Sequence, residues 1–494
     1  MRVPDWLARR ADDHGDRPAL LCGEIRWTFR ELDARAGAVA ARLADLGVQP
    51  GERVALLLRN GPAFVALAHG ISRRGAVLVP LNVRLTALEL AWQVAESEAR
   101  LLVADEENAS AARDLDVRRA SASELCGNDT PPAISHDLRI DLEAAHSILY
   151  TSGTTGRPRG VILTYANHWW SAIGSALNLG ADSDDRWLAV LPLFHVGGLS
   201  ILLRSVIYGN PVVLQSSFDP AAANRAIDEE RITIVSLVSE MLQRMLEERD
   251  GRPYPSHLRC VLVGGGPAPP KLLEACARQA VPVAPTYGLT EAASQVATLS
   301  PAEAVRKPGS AGKALLPTEL RIRRRGGTAP PGEPGEILVR GPTVAAEYTD
   351  GPVTTTDEGG ASWLHTGDIG YLDDEGYLYV LDRRDDLLIS GGENVYPAEV
   401  EAALLAHESV EDVGVVGVPD PRWGQVPLAV VKLRDGAATA ESELIAHCAG
   451  LLARYKVPTH VLFAETLPRT AGGKLRRDVI RAQAQARIEA SPEV

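Results

Sequence analysis

The chain has 494 residues, of which 45% are hydrophobic and 23% are charged, a globular balance at a length that predicts two or more domains. Its formal net charge of −13 argues against a nucleic acid or an anionic membrane surface as a partner. The five cysteines have no regular spacing, which argues against a disulfide framework and a zinc site.

Targeting signals bear on where the protein is expected to reside. The N-terminus lacks the apolar segment of a signal peptide, and the chain has no apolar run of about 18 residues, so we expect no transmembrane segment and a cytoplasmic location.

Only six of the 51 cationic residues are lysines. Because ammonium and guanidinium groups are not equivalent donors, each retained lysine is a candidate for a specific role. The six are Lys271, Lys307, Lys313, Lys432, Lys456 and Lys474.

Helical and strand patterns alternate through the first 300 residues. A helix is expected to open at Trp27, with Thr28 as its cap and Glu31 three residues further on. Strands are expected at residues 52–58, 76–79, 100–104, 187–191, 211–214, 232–235 and 260–263. Strands separated by helices imply βαβ units, so the sequence predicts an α/β fold with a mainly parallel sheet.

The pattern changes in the last third of the chain. From about residue 309 to 381, short β runs alternate with Gly and Pro turns, which predicts a small β-barrel-like unit. A compact α+β pattern follows after residue 383. We therefore expect a large N-terminal domain of βαβ layers over residues 1–382, which includes the barrel-like unit, and a small C-terminal domain over residues 383–494.

Residues 150–160 read Tyr-Thr-Ser-Gly-Thr-Thr-Gly-Arg-Pro-Arg-Gly between two β-prone runs, which predicts a strand, a tight loop and a second strand. Glycine permits close backbone approach, so amides and hydroxyls can surround an anion. The segment is not a Walker A motif, because GK[ST] is absent. It is either a polyphosphate loop or a polar surface hairpin. The candidate residues are Thr151, Ser152, Gly153, Thr154, Thr155, Gly156 and Arg157.

Two later segments suggest a nucleotide site. Three glycines follow the strand at 260–263 and either let a flat ring lie against the backbone or form a loose turn. In residues 285–291, Tyr287 could stack on a base, Thr290 could donate to a phosphate and Glu291 could hold Mg²⁺. The alternative is an ordinary strand end. The remaining candidate residues of these segments are Gly264, Gly265, Gly266, Pro285, Thr286 and Gly288.

Four motifs nearer the C-terminus add candidates. Asp368 could accept hydrogen bonds from a ribose diol, although Gly-Asp is also a routine turn. Arg383 could reach a ribose or a phosphate, unless its segment is a solvated linker. Gly391 and Gly392 suit a loop that a ligand approaches. Lys474 lies on a glycine-rich loop and is either a catalytic cation or an exposed lysine.

In this order the motifs resemble those of the acyl-adenylate-forming family, which includes acyl-CoA synthetases, luciferases and peptide-synthetase adenylation domains. The resemblance covers nearly the whole chain. It implies ATP, Mg²⁺ and CoA as cofactors and co-substrates, and a mobile C-terminal domain that closes over the large one. One departure is Pro-Arg-Gly at 158–160, where the family usually has Pro-Lys-Gly, so the role of Arg159 stays open.

The family resemblance also implies individual roles. It assigns pyrophosphate binding to residues 151–156, the adenine pocket to residues 264–266 and 285–288, Mg²⁺ to Glu291, ribose contacts to Asp368 and Arg383, a hinge to Asp385, and adenylation to Lys474.

A narrower resemblance concerns the acid substrate. Residues 164–180 and 192–209, with Glu393 and Tyr396, resemble the o-succinylbenzoate-activating CoA ligases of menaquinone biosynthesis. The family places His195 beside the acid's carboxylate, whereas the residue pattern alone allows a helix cap or a core histidine. Trp169 and Trp170 by themselves indicate core aromatics.

The implied enzyme is an acid–thiol ligase that forms AMP in two steps, adenylation of a carboxylate and transfer of the acyl group to CoA. The alternatives are a fatty or aryl acid–CoA ligase of the same family and an adenylation protein that loads a carrier. Only small-molecule partners are expected, and a homo-oligomer is left open.

Overall fold

The computed structural model describes residues 1–127, 138–151, 158–266, 268, 270–324, 327–356, 360–382, 388–468 and 475–490. Its backbone contacts divide the chain into two compact units. The first unit consists of Met1–Val83, Gln93–Leu149 and Gly160–Leu381. The second unit consists of Arg84–Trp92, Tyr150–Arg159 and Asp382–Val494. The division predicted between residues 382 and 383 stays a prediction.

The α-helices are α1 (Trp6–His14), α2 (Phe29–Asp45), α3 (Pro62–Arg74), α4 (Ala87–Glu96), α5 (Ala109–Arg113), α6 (Ala122–Cys126), α7 (Tyr165–Leu179), α8 (Val196–Tyr208), α9 (Pro220–Glu229), α10 (Ser239–Arg249), α11 (Pro270–Arg278), α12 (Pro397–Leu405), α13 (Glu441–Leu451) and α14 (Arg477–Ala490). Short 3₁₀ helices cover Thr290–Ala292 and Arg454–Lys456. Among the described residues, no helix combines the length and the apolar character needed to cross a membrane.

The strands are β1 (Arg2–Pro4), β2 (Pro18–Cys22), β3 (Ile25–Thr28), β4 (Arg53–Leu57), β5 (Val77–Pro80), β6 (Ala99–Ala104), β7 (Arg119–Ser121), β8 (Arg139–Asp141), β9 (Ala145–Thr151), β10 (Arg159–Thr164), β11 (Trp187–Ala189), β12 (Val212–Leu214), β13 (Ile234–Leu237), β14 (Cys260–Val263), β15 (Val283–Leu289), β16 (Ser294–Thr298), β17 (Lys313–Ala314), β18 (Glu319–Arg324), β19 (Gly327–Thr328), β20 (Gly335–Arg340), β21 (Glu347–Tyr348), β22 (Gly351–Pro352), β23 (Thr354–Thr356), β24 (Ser362–Leu372), β25 (Leu378–Asp382), β26 (Leu388–Ser390), β27 (Glu393–Val395), β28 (Val410–Asp420), β29 (Gly424–Leu433) and β30 (His460–Phe463).

Two large mixed sheets organise the described part of the large N-terminal region. One has the strand order β22-β21-β10-β9-β5-β4-β6-β7, and the other has the order β17-β16-β15-β14-β13-β11-β12-β2-β3. The central pairs β13/β14, β14/β15, β4/β5 and β4/β6 are parallel, while antiparallel pairs such as β15/β16 lie towards the edges. The prediction of an α/β fold with mainly parallel sheets is therefore confirmed.

Apolar strands explain why these sheets are central. All four residues of β13, of β14 and of β5 are buried. Strands that are covered on both faces have nearly continuous apolar sequences, so they can be predicted from the sequence. The predicted capping box of α2 is also present, because the Thr28 hydroxyl accepts a hydrogen bond from the Glu31 amide. Trp27 itself belongs to β3, and the helix begins at Phe29.

The β-rich region forms an antiparallel sheet with the order β19-β18-β20-β24-β23, to which β25 adds by pairing with β24. Its inward side chains are fully or almost fully buried, as Ile322, Ile337, Val339 and Leu364 illustrate. The predicted change to a β-rich unit is confirmed. The long strand β24 is the element that carries Asp368.

The second unit is an α+β body. A long hairpin of β28 and β29 extends from Val410↔Leu433 to Asp420↔Gly424, and β30 pairs parallel with β29. Helix α12 packs on this sheet, as does helix α14. Apolar residues from the sheet and the helices form its core, for example Val400, Val415 and Val431.

A buried group of charges lies within the second unit. The Lys456 ammonium donates to Glu89 Oε1 at 2.6 Å and to Glu399 Oε1 at 2.7 Å. Burial on its own lowers the pKa of Lys456, but the two carboxylates raise it above its ordinary value. Arg84 Nη1 also donates to Glu393 Oε1, at 3.0 Å. Lys456 is thus a lysine with a structural role.

We predict that Lys456→Met lowers the free energy of unfolding by roughly 3–5 kcal/mol, because it leaves two buried carboxylates without a cation. Urea-unfolding curves of the whole chain measure the loss. Lys432→Met is the matched control, since Lys432 pairs with Glu411 at the surface and should change the curve little. Equal effects of the two substitutions would contradict a stabilising role for the buried group.

Candidate functional site

The two predicted nucleotide segments meet at one edge of the second large sheet. Strands β14 and β15 pair in parallel with Val263 opposite Pro285, so Gly264 follows one strand where Thr286 continues the other. A Cβ on Gly264 would lie 2.8 Å from Thr286 Cγ2, closer than real side chains approach. Gly265 has a φ of +79°, which favours glycine. The structure therefore brings residues 264–266 and 285–288 together.

Tyr287 links this edge to the β-rich sheet. Its side chain is buried, and its hydroxyl donates to Asp368 Oδ2 at 2.6 Å. The Asp368 amide donates to Thr366 Oγ1, and that hydroxyl donates to Ile337 O, so this part of β24 is tied to the neighbouring strand β20. Two residues assigned to the same nucleotide are thus in direct contact. A hydrogen bond to a carboxylate fixes its direction and keeps its charge.

Glu291 lies in a sharp turn between β15 and β16. Ala293 and Ser294 have φ values of +52° and +105°, unusual for residues other than glycine, so the backbone reverses tightly behind the carboxylate. Gly288 permits the reversal, because a Cβ there would lie 2.0 Å from Ser294 O. The Tyr348 hydroxyl donates to Glu291 Oε1 at 3.1 Å. Thr290 begins the same 3₁₀ turn.

The donor set fits a magnesium ion that arrives with a nucleotide. Within the described ranges, no three His, Cys, Asp or Glu side chains form a ready metal site. Mg²⁺ is usually held by one or two carboxylates together with substrate phosphates, so the single Glu291 carboxylate is a suitable protein ligand.

His195 precedes α8, at the end of the loop that follows β11. It is half-buried and contacts the Phe194 ring edge to face at 4.6 Å, and it makes no side-chain cap of the helix. His195 is nevertheless the N-cap residue of α8, so the helix-cap interpretation is confirmed for its position in the chain. Because β11, β14 and β15 belong to one parallel array, this loop opens at the same edge as Gly264, where ligands of open α/β sheets bind.

Asn60 is a residue of this edge that the sequence analysis missed. Its side chain accepts a hydrogen bond from the Leu193 amide at 2.9 Å and donates to Leu191 O at 3.0 Å. It therefore holds the loop that leads to His195. A single asparagine between a strand and a helix carries no recognisable signal, and only the fold brings it to this loop.

The two adjacent tryptophans of α7 differ in burial. Trp169 is half-buried and stacks on Trp6 with ring centroids 5.9 Å apart. Trp170 is 39% exposed, so its interpretation as a core aromatic is wrong. The reason is helical geometry, since adjacent residues of a helix point in different directions.

In the second unit, Gly391 and Gly392 connect β26 to β27 in a two-residue turn. Their φ values of +56° and +82° are both positive, as a tight hairpin of this kind requires. A Cβ on Gly391 would lie 2.6 Å from Trp423 Cε3, so a side chain has no room there. Glu393, which follows the turn, is buried and accepts from Arg84.

Several predicted residues lie outside the described residues. Strand β9 ends at Thr151 and β10 begins at Arg159, so the predicted flanking strands are confirmed. The predicted residues outside the described ranges are Ser152, Gly153, Thr154, Thr155, Gly156, Arg157, Arg383, Asp385 and Lys474.

We predict that Tyr287→Phe weakens AMP binding roughly tenfold, because it removes a hydrogen bond to the Asp368 carboxylate, and such bonds contribute about 1.5–3 kcal/mol. Calorimetric titration of AMP measures the change. Tyr254→Phe is the control, since its hydroxyl donates to Asn224 Oδ1 at 3.0 Å, outside the nucleotide segments. An unchanged AMP affinity in Tyr287→Phe would show that Asp368 needs no such support.

Comparisons with known proteins find similar sequences along most of the chain. The sequence model of the AMP-binding enzyme family matches residues 7–349, and that of the AMP-binding enzyme C-terminal domain matches residues 399–474. A 2-succinylbenzoate–CoA ligase of Geobacillus kaustophilus is 51% identical over 477 residues, which cover 96% of each chain.

Solved structures of o-succinylbenzoate CoA synthetase from Bacillus subtilis are similar in fold. A double mutant bound with the product analogue OSB-NCoA has a TM-score of 0.90, with 41% identity and coverage of 97% of this chain and 98% of that one. The complex with ATP and magnesium ion has a TM-score of 0.74, with 41% identity and coverage of 97% and 99%.

Proposed function

The chain belongs to the AMP-binding enzyme family, and we propose that it is an ATP-dependent ligase that joins o-succinylbenzoate to coenzyme A in menaquinone biosynthesis. The observation that carries this proposal is 51% identity to a 2-succinylbenzoate–CoA ligase along 96% of both chains. The edge formed by residues 264–266, 285–288 and Asp368 supports it, because it offers one nucleotide several backbone and carboxylate contacts.

In the first half-reaction the acid's carboxylate attacks the α-phosphorus of ATP, and the bond to pyrophosphate breaks. Negative charge accumulates at the reacting phosphate, so the protein's task is positioning and electrostatic stabilisation. We assign the polyphosphate to residues 151–157, with Thr290 as a further donor. Mg²⁺ held by Glu291 would neutralise phosphate charge. Lys474 supplies a cation that approaches both reactants.

The remaining nucleotide contacts have separate tasks. Residues 264–266 and 285–288 receive the adenine, and the Asp368 carboxylate accepts from the ribose, with Arg383 as its second contact. His195 lies beside the acid's carboxylate. Each of these groups holds the nucleotide or the acid in place and forms no covalent bond with it.

In the second half-reaction the CoA thiol attacks the acyl carbon, and AMP leaves. The groups needed in the two steps differ, so we propose that the domain of residues 383–494 turns about Asp385 between them. The turn at Gly391 and Gly392 then borders the path of the thiol, because glycine lets a ligand pass close to the backbone.

We also propose a cytoplasmic enzyme. The cysteines of the described residues are unpaired, and burial raises the pKa of the Cys260 and Cys448 thiols to about 12. Reduced, unreactive thiols are typical of a reducing compartment.

We predict that o-succinylbenzoate is the preferred acid, with ATP, Mg²⁺ and CoA all required. Pyrophosphate-release assays should give a kcat/KM roughly 10²-fold or more above that of 4-oxo-4-phenylbutyrate, which lacks only the ring carboxylate, because a site built for a polar group rejects an analogue without it. Palmitate and benzoate serve as further comparisons. A higher kcat/KM for palmitate or benzoate would replace this proposal with a fatty or aryl acid ligase, and turnover without CoA would indicate carrier loading.

We predict that Lys474→Ala slows formation of the acyl-adenylate roughly 10²–10³-fold, as expected for loss of one transition-state donor. Formation of the thioester from supplied adenylate should change little. Single-turnover kinetics of each half-reaction provide the measurement, and Lys432→Ala is the surface control. Equal losses in both half-reactions would contradict a role specific to adenylation.

A further inference from the structure

We propose that Tyr348 is a positioning residue that aims the Glu291 carboxylate at the metal ion of the bound nucleotide. The proposal rests on the function proposed above. Its starting observation is the hydrogen bond from the Tyr348 hydroxyl to Glu291 Oε1, at 3.1 Å, in a half-buried site of the first unit. The two residues are 57 positions apart, so the contact is tertiary.

The segment that carries Tyr348 also holds the backbone of Glu291. The Ala345 amide donates to Glu291 O at 2.8 Å, three residues before the tyrosine. Ala345 is fully buried. Glu291 is therefore fixed at its carbonyl and at its carboxylate by one short stretch of chain, which leaves its side chain little freedom of rotation.

The same segment is anchored on its other side to the strand that leaves the predicted phosphate loop. Strand β21 pairs antiparallel with β10, with Tyr348 opposite Val161. The Thr349 amide donates to Gly160 O at 2.8 Å. A Cβ on Gly160 would lie 2.8 Å from Thr349 Cγ2, so glycine is needed for this approach. Residues 345–349 thus connect the carboxylate to the strand that follows the phosphate loop.

A further contact steadies the approach to this segment. The Asn167 side-chain amide donates to Pro342 O at 2.9 Å and to Val344 O at 3.1 Å. Asn167 is itself held in the capping box of α7 by Thr164. The hydroxyl of Tyr348 is therefore presented from a backbone that is held by α7 and β10.

Tyrosine is chemically suited to this role. Its hydroxyl is neutral at pH 7, so it can orient a carboxylate without cancelling the charge that attracts a cation. Arginine or lysine in its place would form an ion pair and compete with the metal. Removal of a hydrogen bond that orients a metal ligand commonly weakens metal binding 10–100-fold.

The test is Tyr348→Phe, which keeps the ring and removes only the donor. Calorimetry of ATP binding across a series of Mg²⁺ concentrations should show that the half-maximal Mg²⁺ concentration rises roughly tenfold. AMP binding without Mg²⁺ should stay within about twofold of wild type, since AMP does not need the oriented carboxylate. Melting curves check that the variant is folded.

Tyr287→Phe is the matched control, because it removes a tyrosine hydroxyl from Asp368 instead of Glu291. It should weaken AMP binding and leave the Mg²⁺ dependence of ATP binding unchanged. In a Glu291→Gln background, Tyr348→Phe should add no further shift in Mg²⁺ dependence, because its partner no longer carries the charge.

The outcomes separate this proposal from the proposed function. The assays contain only ATP, AMP and Mg²⁺, so a different acid preference leaves them unaffected. A wild-type Mg²⁺ dependence in Tyr348→Phe would overturn the positioning role, as would equal weakening of AMP and ATP binding, which indicates a structural defect. If the wild-type protein bound no ATP with Mg²⁺, the nucleotide function and the role of Tyr348 would both be wrong.

Discussion

The parallel pairing of β14 with β15 is the constraint on which the candidate site depends. Its register sets Val263 opposite Pro285, so the glycines after one strand face the residues that continue the other. The approach is so close that a Cβ on Gly264 would lie 2.8 Å from Thr286 Cγ2. A side chain at this glycine would therefore force the Thr286 side chain to move.

Two carboxylates of the site are held by the same chemical device. Tyr287 donates to Asp368 and Tyr348 donates to Glu291, at 2.6 and 3.1 Å. In both pairs the hydroxyl is a neutral donor, so it orients the acid without adding a positive charge of its own. The two carboxylates that we propose for the ribose and the metal ion are thus each oriented by a tyrosine.

The charges of the second unit are used differently. Lys456 lies buried between the carboxylates of Glu89 and Glu399, and Arg84 pairs with the buried Glu393. The two cations neutralise these carboxylates, and burial of a carboxylate is tolerated only with such a partner. In an arginine-rich chain the compact ammonium of Lys456 fits between two oxygens at 2.6 and 2.7 Å, which explains one retained lysine by packing and not by catalysis.

The sequence by itself determined the features that depend on near neighbours along the chain. Apolar runs predicted β4, β5, β6 and β14, the Thr28–Glu31 box predicted the helix cap, and motif order indicated the family. Strand ends were less well determined: β13 begins two residues after its predicted start, because the Thr233 hydroxyl bonds to the Arg186 amide and to Asp185 at the turn.

Tertiary structure alone decided which side chains meet. Three hydrogen bonds illustrate this: Leu193 to Asn60, Tyr348 to Glu291 and Lys456 to Glu89. They join residues 133, 57 and 367 positions apart, and no sequence pattern reveals these partners. Hydrophobic periodicity and capping record local energies, which a short window of sequence contains. A hydrogen bond between distant side chains is decided by the register of the sheets that carry them, and that register exists only once the chain has folded.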